Sequence, residues 1–489
     1  MSEQKTTASK LTNNIEKKKV IELVVIALVT ILVWNLPTEV FGIDGLNVVQ
    51  QRIIAIFVFA TLSWLTEAIP SWATSLAIIT IMCLTVTDNS LLPFKVENPD
   101  ELLKAKAVMA SFADPVIMLF LGGFILAIAA TKSGLDVVLA KNLIRPFGKK
   151  SENVLLGFLL ITGLFSMFVS NTATAAMMLT FLTPVFAALP ANGKGRIALT
   201  MSIPVAANIG GMGTPIGTPP NAIALKYLND PEGLNLGLGF GEWMAFMFPL
   251  AIIILLISWR IILYFFPFTK KTIELEIKGE AHKGWRMWVV VVTFITTILL
   301  WVIPKEYTGI DANTVALVPM GVFALTGVIT AKDLREIDWA VIWMVAGGFA
   351  LGLGMNGSGL ADRAIESIPF GEWSPIVILV VSGLICYFLS NFISNTATAA
   401  LLVPILAVVC TGMGDKLGSI GGTPTVLIGI ALAASSAMCL PISTPPNAIA
   451  YSTGLVEQKH MLKIGLSVGV ISMILGYSLL FVVGKMGIL

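Results

Sequence analysis

Three stretches of this chain occur twice, in the same order and at nearly the same separation. Residues 115–135 (PVIMLFLGGFILAIAATKSGL) match 340–360 (AVIWMVAGGFALGLGMNGSGL), SNTATAA at 170–176 recurs at 394–400, and TPPNAIA at 218–224 recurs at 444–450. The offsets are 225, 224 and 226 residues, a regularity that points to duplication rather than low complexity. A duplicated chain is built as two copies of one unit. If the chain spans a membrane, the number of crossings between equivalent points decides whether those copies are parallel or inverted.

Composition makes the membrane the natural solvent. Of 489 residues, 56% are hydrophobic and 12% charged, with a mean hydropathy of +0.88, and a soluble domain of this size could not cover its surface with so little charge. Apolar spans are expected near 20–36, 53–70, 71–87, 113–131, 197–225, 243–266, 288–303, 313–330, 339–356, 422–450 and 463–484. The run at 20–36 follows Lys17, Lys18 and Lys19 and has no small-residue cleavage site behind it, so it is expected to remain as a span rather than leave as a signal peptide. Cys83, Cys386, Cys410 and Cys439 lie singly in apolar segments, which indicates neither a disulfide framework nor a thiolate metal site. His282 and His460 fall in polar connections, which argues against a histidine proton relay or metal centre inside the membrane.

Two further apolar stretches, 153–191 and 374–410, are too long for one crossing, since about 37 residues of helix at ~1.5 Å each measure ~55 Å against a hydrocarbon core of about 30 Å. Each carries a polar break, Ser170-Asn171-Thr172 in one and Ser394-Asn395-Thr396 in the other. Both read as re-entrant helical hairpins with the break as tip. The other reading is a pair of full crossings joined by a tight polar turn.

The expected architecture is therefore all-α and integral to the membrane, with 11 transmembrane helices plus two re-entrant hairpins in two inverted repeats. Residues 1–19 form a cytoplasmic tail, 20–52 the first span and its connection, 53–287 the first repeat and 288–489 the second. Eleven crossings place the C-terminus outside a plasma membrane. Connections expected inside hold Lys132, Lys141, Arg145, Lys149 and Lys150, then Lys270, Lys271, Lys278, Lys283 and Arg286, while 357–373 outside holds Arg363 alone, in keeping with the positive-inside rule. The segment 88–112 breaks it with Lys95, Lys104 and Lys106, and its Pro99-Asp100-Glu101 start suggests a surface-lying helix. Five crossings separate equivalent points, and an odd number inverts the second copy. Such repeats characterise secondary transporters with a midplane site.

Each copy pairs a hairpin with a broken helix, 197–225 containing IGGMGTPIGTPPN and 422–450 containing CLPISTPPN. Pro215, Pro219 and Pro220, like Pro441, Pro445 and Pro446, lack amide hydrogens and unwind the helix. Backbone groups freed in this way can bind a cation at helix C-terminal ends or an anion at N-terminal ends. No Asp, Glu, Lys, Arg or His occurs in 153–192, 197–225, 373–414 or 417–456. Proton coupling at these motifs is thus disfavoured, and an anion must be met by hydroxyls, amides, helix dipoles and bound cations. Oxygen ligands of this hard kind suit Na+ rather than a transition metal. Ser166 and Ser390 each lie four residues before a tip serine, one turn back on the same helical face, as a small-cation cage requires. A serine bonded back to its own helix is the other reading.

The two SNT signatures, each followed about fifty residues later by TPPN, resemble the divalent anion:sodium symporter family, the INDY-type dicarboxylate carriers, from about residue 20 to the end. The resemblance implies a homodimer in which scaffold and transport domains, each drawn from both repeats, work by an elevator mechanism. It implies a C4-dicarboxylate cargo such as succinate, malate or fumarate, and two or more Na+ ions, with no organic cofactor and no nucleic acid partner. One sodium site would use Ser166, Ser170, Asn171 and the Gly217 carbonyl, the other Ser390, Ser394, Asn395 and the Ser443 carbonyl. Substrate carboxylates would meet Asn171, Thr172, Asn395 and Thr396, with Thr218, Pro219, Thr444 and Pro445 lining the loops. The sequence departs from the family where 72–81 reads WATSLAIITI rather than a proline-containing stretch like ALVPMGVFAL at 316–325. The family also contains dicarboxylate exchangers, and an antiporter using the same site is the alternative to symport. An intramembrane enzyme would need a buried Ser-His pair, twin aspartates or HExxH on a span, none of which occurs. Glu67, Asp114 and Asp338 near span ends read as caps or interfacial anchors.

Overall fold

The computed structural model describes residues 2–187, 189–190, 193–230, 234–273 and 284–487. Residue 191, expected to close the first hairpin, lies outside them, as do Lys278, His282 and Lys283. Among the described residues the chain is helical, and the non-helical pairings are isolated bridges at Thr87–Leu103 and Lys150–Thr272.

Among the described residues, eight helical runs are long and apolar enough to cross a membrane: Val48–Thr66, Ala105–Ser133, Phe240–Phe265, Trp285–Val302, Trp339–Gly357, Pro375–Phe392, Asn395–Ile420 and Gln458–Lys485. The expected list of eleven spans differs from these in definite places. The run at 71–87 is the fifteen-residue helix Ser71–Thr85, about 22 Å long at ~1.5 Å per residue. The run at 313–330 divides into Ala312–Val315 and Leu317–Leu325, because Pro319 has no amide hydrogen for the Val315 carbonyl. At the N-terminus the helix Ser2–Asn35 continues through what reads as a tail. The surface helix expected from Pro99 is only Ala105–Ala110, preceded by a loop in which the Ala105 amide donates to Asp88 Oδ1 at 2.9 Å. His460 sits in the first turn of Gln458–Lys485 rather than in a connection, its Nδ1 accepting from the Glu457 amide at 3.1 Å.

The chain divides into two compact units, each with segments from both halves of the sequence. One comprises Met1–Asp114, Trp339–Trp373 and Pro404–Gly414. Its helices Val48–Thr66, Ser71–Thr85 and Trp339–Gly357 pack together, and Gly347 is the contact that allows it, since a Cβ there would lie 2.4 Å from Ser75 Cβ. Arg52 is buried in this unit, donating to the carbonyls of Thr85 (3.0 Å) and Phe94 (2.6 Å), so its charge is matched to oxygen rather than left in an apolar interior.

The other unit comprises Pro115–Asp338, Ser374–Val403 and Asp415–Leu489, and it carries the motifs. The first hairpin motif is Ser151–Ser166, a short break, and Asn171–Ala187; the second is Pro375–Phe392, a shorter break, and Asn395–Met413. Both helices break at proline, with glycine also present in the first break: Lys194–Gly211 resumes as Pro219–Leu228, and Thr423–Ser436 as Pro445–Ser452. Proline opens each resumed helix, where its missing N–H costs nothing. Packing is reciprocal. The resumed half of each broken helix lies against the leading half of the other, and Pro445–Ser452 also meets Asn171–Ala187. The leading half Lys194–Gly211 packs on Ser151–Ser166 through a glycine pair, where a Cβ at Gly210 would stand 2.2 Å from the Gly163 carbonyl.

Candidate functional site

Each hairpin break leaves a serine at the end of one arm facing the asparagine that starts the next. In the first copy Ser166 Oγ lies 2.6 Å from the Asn171 amide and 2.8 Å from the Ala207 carbonyl. In the second, Ser390 Oγ lies 2.8 Å from Asn395 Oδ1 and 3.3 Å from the Ala434 carbonyl. Both serines are fully buried. Their bonds run to a neighbouring helix, not back along their own.

The Asn171 amide tests what the first cluster can hold. One terminal atom of that amide is 2.6 Å from Ser166 Oγ, 3.1 Å from the Gly217 carbonyl and 3.2 Å from the Ala207 carbonyl. With nitrogen in that place, the amide's two hydrogens are shared among the three oxygens and close the cluster. With oxygen there, four oxygens meet around a single hydroxyl hydrogen, that of Ser166, and a hard cation can balance the rest in a site without charged side chains. The donor set therefore fits Na+. Close approach of the backbone makes this possible: a Cβ on Gly217 would stand 2.4 Å from the Gly211 carbonyl, and one on Gly211 would stand 2.8 Å from the Asn171 side chain.

The tip serines serve first as helix caps. Ser170 Oγ accepts from the Ala173 amide at 3.2 Å and Ser394 Oγ from the Ala397 amide at 3.1 Å, and a hydroxyl so engaged still has a second lone pair for a cation. Thr218 and Thr444 are buried N-caps of the resumed helices; Pro219 is half-buried, Pro445 exposed, and Thr172 is exposed where its counterpart Thr396 is buried. Ser443, expected to offer its carbonyl, also uses its hydroxyl, donating to the Asn391 carbonyl at 2.9 Å. In the first copy Thr214 does this for the loop, its hydroxyl donating to the Met167 carbonyl. Met167 and Asn391 are equivalent positions, whereas Thr214 and Ser443 are not, so the two loops reach the same anchor from different places.

A sequence profile of the citrate transporter family (CitMHS) matches residues 57–420. The sodium-dependent dicarboxylate transporter SdcS of Staphylococcus saprophyticus is 32% identical over 483 residues, 91% of this chain and 88% of that one. The chain belongs to the divalent anion:sodium symporter family. Within it, SdcS of Staphylococcus aureus (strain USA300) is 31% identical over 460 residues, 86% of this chain and 84% of its own. In fold, the chain is similar to the Alcanivorax borkumensis YdaH transporter, with a TM-score of 0.54 at 13% identity over 86% of this chain and 99% of that one. It is also similar to Neisseria gonorrhoeae MtrF, with a TM-score of 0.52 at 13% identity over 86% and 96%.

Three further residues of this candidate site escaped the reading of the sequence. Asn221 Nδ2 donates to the carbonyls of Gly211 (2.9 Å) and Thr214 (2.8 Å), and Asn447 Nδ2 to those of Met438 (2.8 Å) and Leu440 (2.9 Å). These asparagines, the last letters of both TPPN motifs, staple the unwound loops shut, and their repetition was the available signal. Asn208 carried none. Its Nδ2 reaches from the first broken helix to Thr444 Oγ1 at 3.2 Å and Asn447 Oδ1 at 3.4 Å. Asn208 Oδ1, Asn221 Oδ1 and Ser435 Oγ are buried without a protein partner among the described residues, so they retain capacity for a ligand.

Proposed function

We propose that the chain is a secondary active carrier that moves a C4-dicarboxylate of the succinate, malate or fumarate type together with Na+. The observation that carries this reading is the duplicated pairing of Ser166 with Asn171 and of Ser390 with Asn395, each closed by a carbonyl of a neighbouring helix. Two such clusters suit two Na+ ions as cargo. Their charge would offset that of a dicarboxylate in a region without a lysine or arginine. Helices begin at Asn171, Pro219, Asn395 and Pro445, and each N-terminus adds about half a positive charge toward the carboxylates. The names of the SdcS relatives support both halves of the reading.

In this scheme Asn171, Thr172, Asn395 and Thr396 hold the carboxylates, and Thr218, Pro219, Thr444 and Pro445 line the loops beside them. Ser166, Ser170, Asn171 and Gly217 form one sodium site; Ser390, Ser394, Asn395 and Ser443 form the other. All these residues lie in one compact unit, which supports an elevator mechanism in which the site travels as a block. The topology is eleven crossings and two re-entrant hairpins in inverted repeats, with the N-terminus cytoplasmic, the C-terminus outside the plasma membrane, and the protein a homodimer.

Uptake of radiolabelled succinate into proteoliposomes tests the function. Empty vesicles should accumulate label only under an inward Na+ gradient, and Asn171→Ala or Asn395→Ala should abolish uptake while leaving the protein folded. Uptake confined to vesicles preloaded with dicarboxylate and indifferent to Na+ would replace this reading with exchange.

A further inference from the structure

The compact unit that holds the hairpin motifs also has a cavity of about 470 Å³ whose lining includes Lys132, Ser133, Trp285, Arg286, Val290 and Val328. Its chemistry is two-sided. Lys132 and Arg286 are cationic, while Trp285, Val290 and Val328 are apolar. Asp333 engages Lys132 at 2.6 Å, which leaves the second cation, Arg286, as the excess positive charge among the described residues of the lining. The Arg286 guanidinium lies 5.6 Å from the centroid of the Trp285 ring and close to Gly327, where even a Cβ would stand only 4.0 Å from its nitrogen.

The cavity opens on a helix that is itself mostly uncovered. Trp285–Val302 buries only Val290, Thr293, Thr297 and Trp301. On the opposite side Trp288, Val292, Ile295 and Leu299 are 70%, 59%, 54% and 54% exposed, and their spacing of four, three and four makes one stripe along the helix. A stripe alone means contact with acyl chains. Trp285 lines the cavity and lies three residues before Trp288, one turn back on the helix, so a cation and an apolar track meet at that ring, which matches a molecule with an anionic head and a long apolar tail.

We propose that this cavity is a binding site for an anionic phospholipid. The headgroup phosphate lies against Arg286, with Lys132 at the cavity wall, and an acyl chain follows the stripe from Trp288 to Leu299. Arginine is suited to the first role because its planar fork donates two parallel hydrogen bonds to phosphate oxygens. Basic recesses between membrane helices are a known setting for such headgroups, and the volume lies within the usual range for a small-ligand site.

Native mass spectrometry of the full-length protein, titrated with phosphatidylglycerol, phosphatidylcholine or soluble glycerol 3-phosphate, tests this. Phosphatidylglycerol should bind in preference to phosphatidylcholine, and Arg286→Gln should weaken it about tenfold or more, the effect of losing its charge-assisted hydrogen bonds. Lys305→Gln, which removes a charge beyond the far end of the same helix, should leave binding unchanged, and Arg286→Lys, which keeps the charge and loses the fork, should bind between the unaltered protein and Arg286→Gln. Equal binding of the two lipids by the unaltered protein would reduce the site to apolar contact. Displacement of phosphatidylglycerol by equimolar glycerol 3-phosphate would make it a site for a soluble anion. Unchanged binding by a folded Arg286→Gln would also overturn the assignment. The two comparisons on the unaltered protein decide the matter even if that variant does not fold.

Discussion

The side-chain amide of Asn208 donates to the hydroxyl of Thr444 at 3.2 Å and to Asn447 Oδ1 at 3.4 Å, joining a helix of the first sequence repeat to the loop of the second. Thr444 Oγ1 also caps its own helix, accepting from the Asn447 amide at 3.3 Å. The donor is buried at 2% exposure, so water cannot replace it. Asn208→Ala should remove about 1 kcal/mol of loop positioning, read as a rise of roughly fivefold in KM for dicarboxylate uptake with little change in expression. An unchanged KM would mean that the bridge is merely structural.

Sodium should raise the thermal midpoint of the detergent-solubilised protein, because a ligand held only by the folded state stabilises it by mass action. Choline at equal ionic strength should not. In Asn171→Ala the first cluster loses the side chain that joins Ser166 to the Gly217 carbonyl, and the sodium-dependent rise should shrink by half or more. An identical rise in that variant would place the cation elsewhere.

Gly217→Ala puts a methyl group 2.4 Å from the Gly211 carbonyl and 2.9 Å from its Cα. Neither backbone can retreat without opening the cluster, so a loss of about 1–3 kcal/mol in stability is expected, as for other overpacked sites. Gly418→Ala is the control, since nothing lies within 4 Å of the added carbon. Thermal unfolding of the two variants should separate them.

Asp333 lies in a connection and is drawn in two directions. Desolvation raises its pKa, but hydrogen bonds from Lys132 and from the amide and hydroxyl of Thr330 outweigh this and hold the carboxyl at about 2. A depressed folded-state value means that the stabilisation is complete above the unfolded value of about 4 and is lost as pH falls toward 2. Asp333→Asn should therefore lower the thermal midpoint at neutral pH and converge with the unaltered protein in acid. Lys132 is 42% exposed, so the effect should be roughly 1 kcal/mol or less. A gap that persists at pH 2 would trace the loss to packing instead.

Whatever depends on near neighbours along the chain was legible in the amino-acid order. The breaks at 170 and 394 and the unwinding before Pro219 and Pro445 follow from polar residues and proline in apolar surroundings, and the structure has each of them. The same logic should have divided the span at 313–330, where Pro319 interrupts the helix, but a hydropathy run averages over a single proline. Ser166, Asn171, Ser390 and Asn395 were identifiable because duplication singles out the positions that recur.

Tertiary structure alone decided what those residues touch. The carbonyls of Ala207 and Ala434, which complete the clusters, lie 41 and 44 residues from their serines, and a backbone oxygen has no signature in sequence. Asn171 and Asn221 are the same residue type in equally polar motifs, yet one faces three oxygens from two other helices and a loop while the other staples its own loop. Which is which depends on the close approach of glycine-bearing backbones, Gly210 on Gly163 and Gly217 on Gly211. Oxygen ligands must converge within about 3 Å to act together, and that convergence is set by helix packing across the fold, which no local pattern of residues encodes.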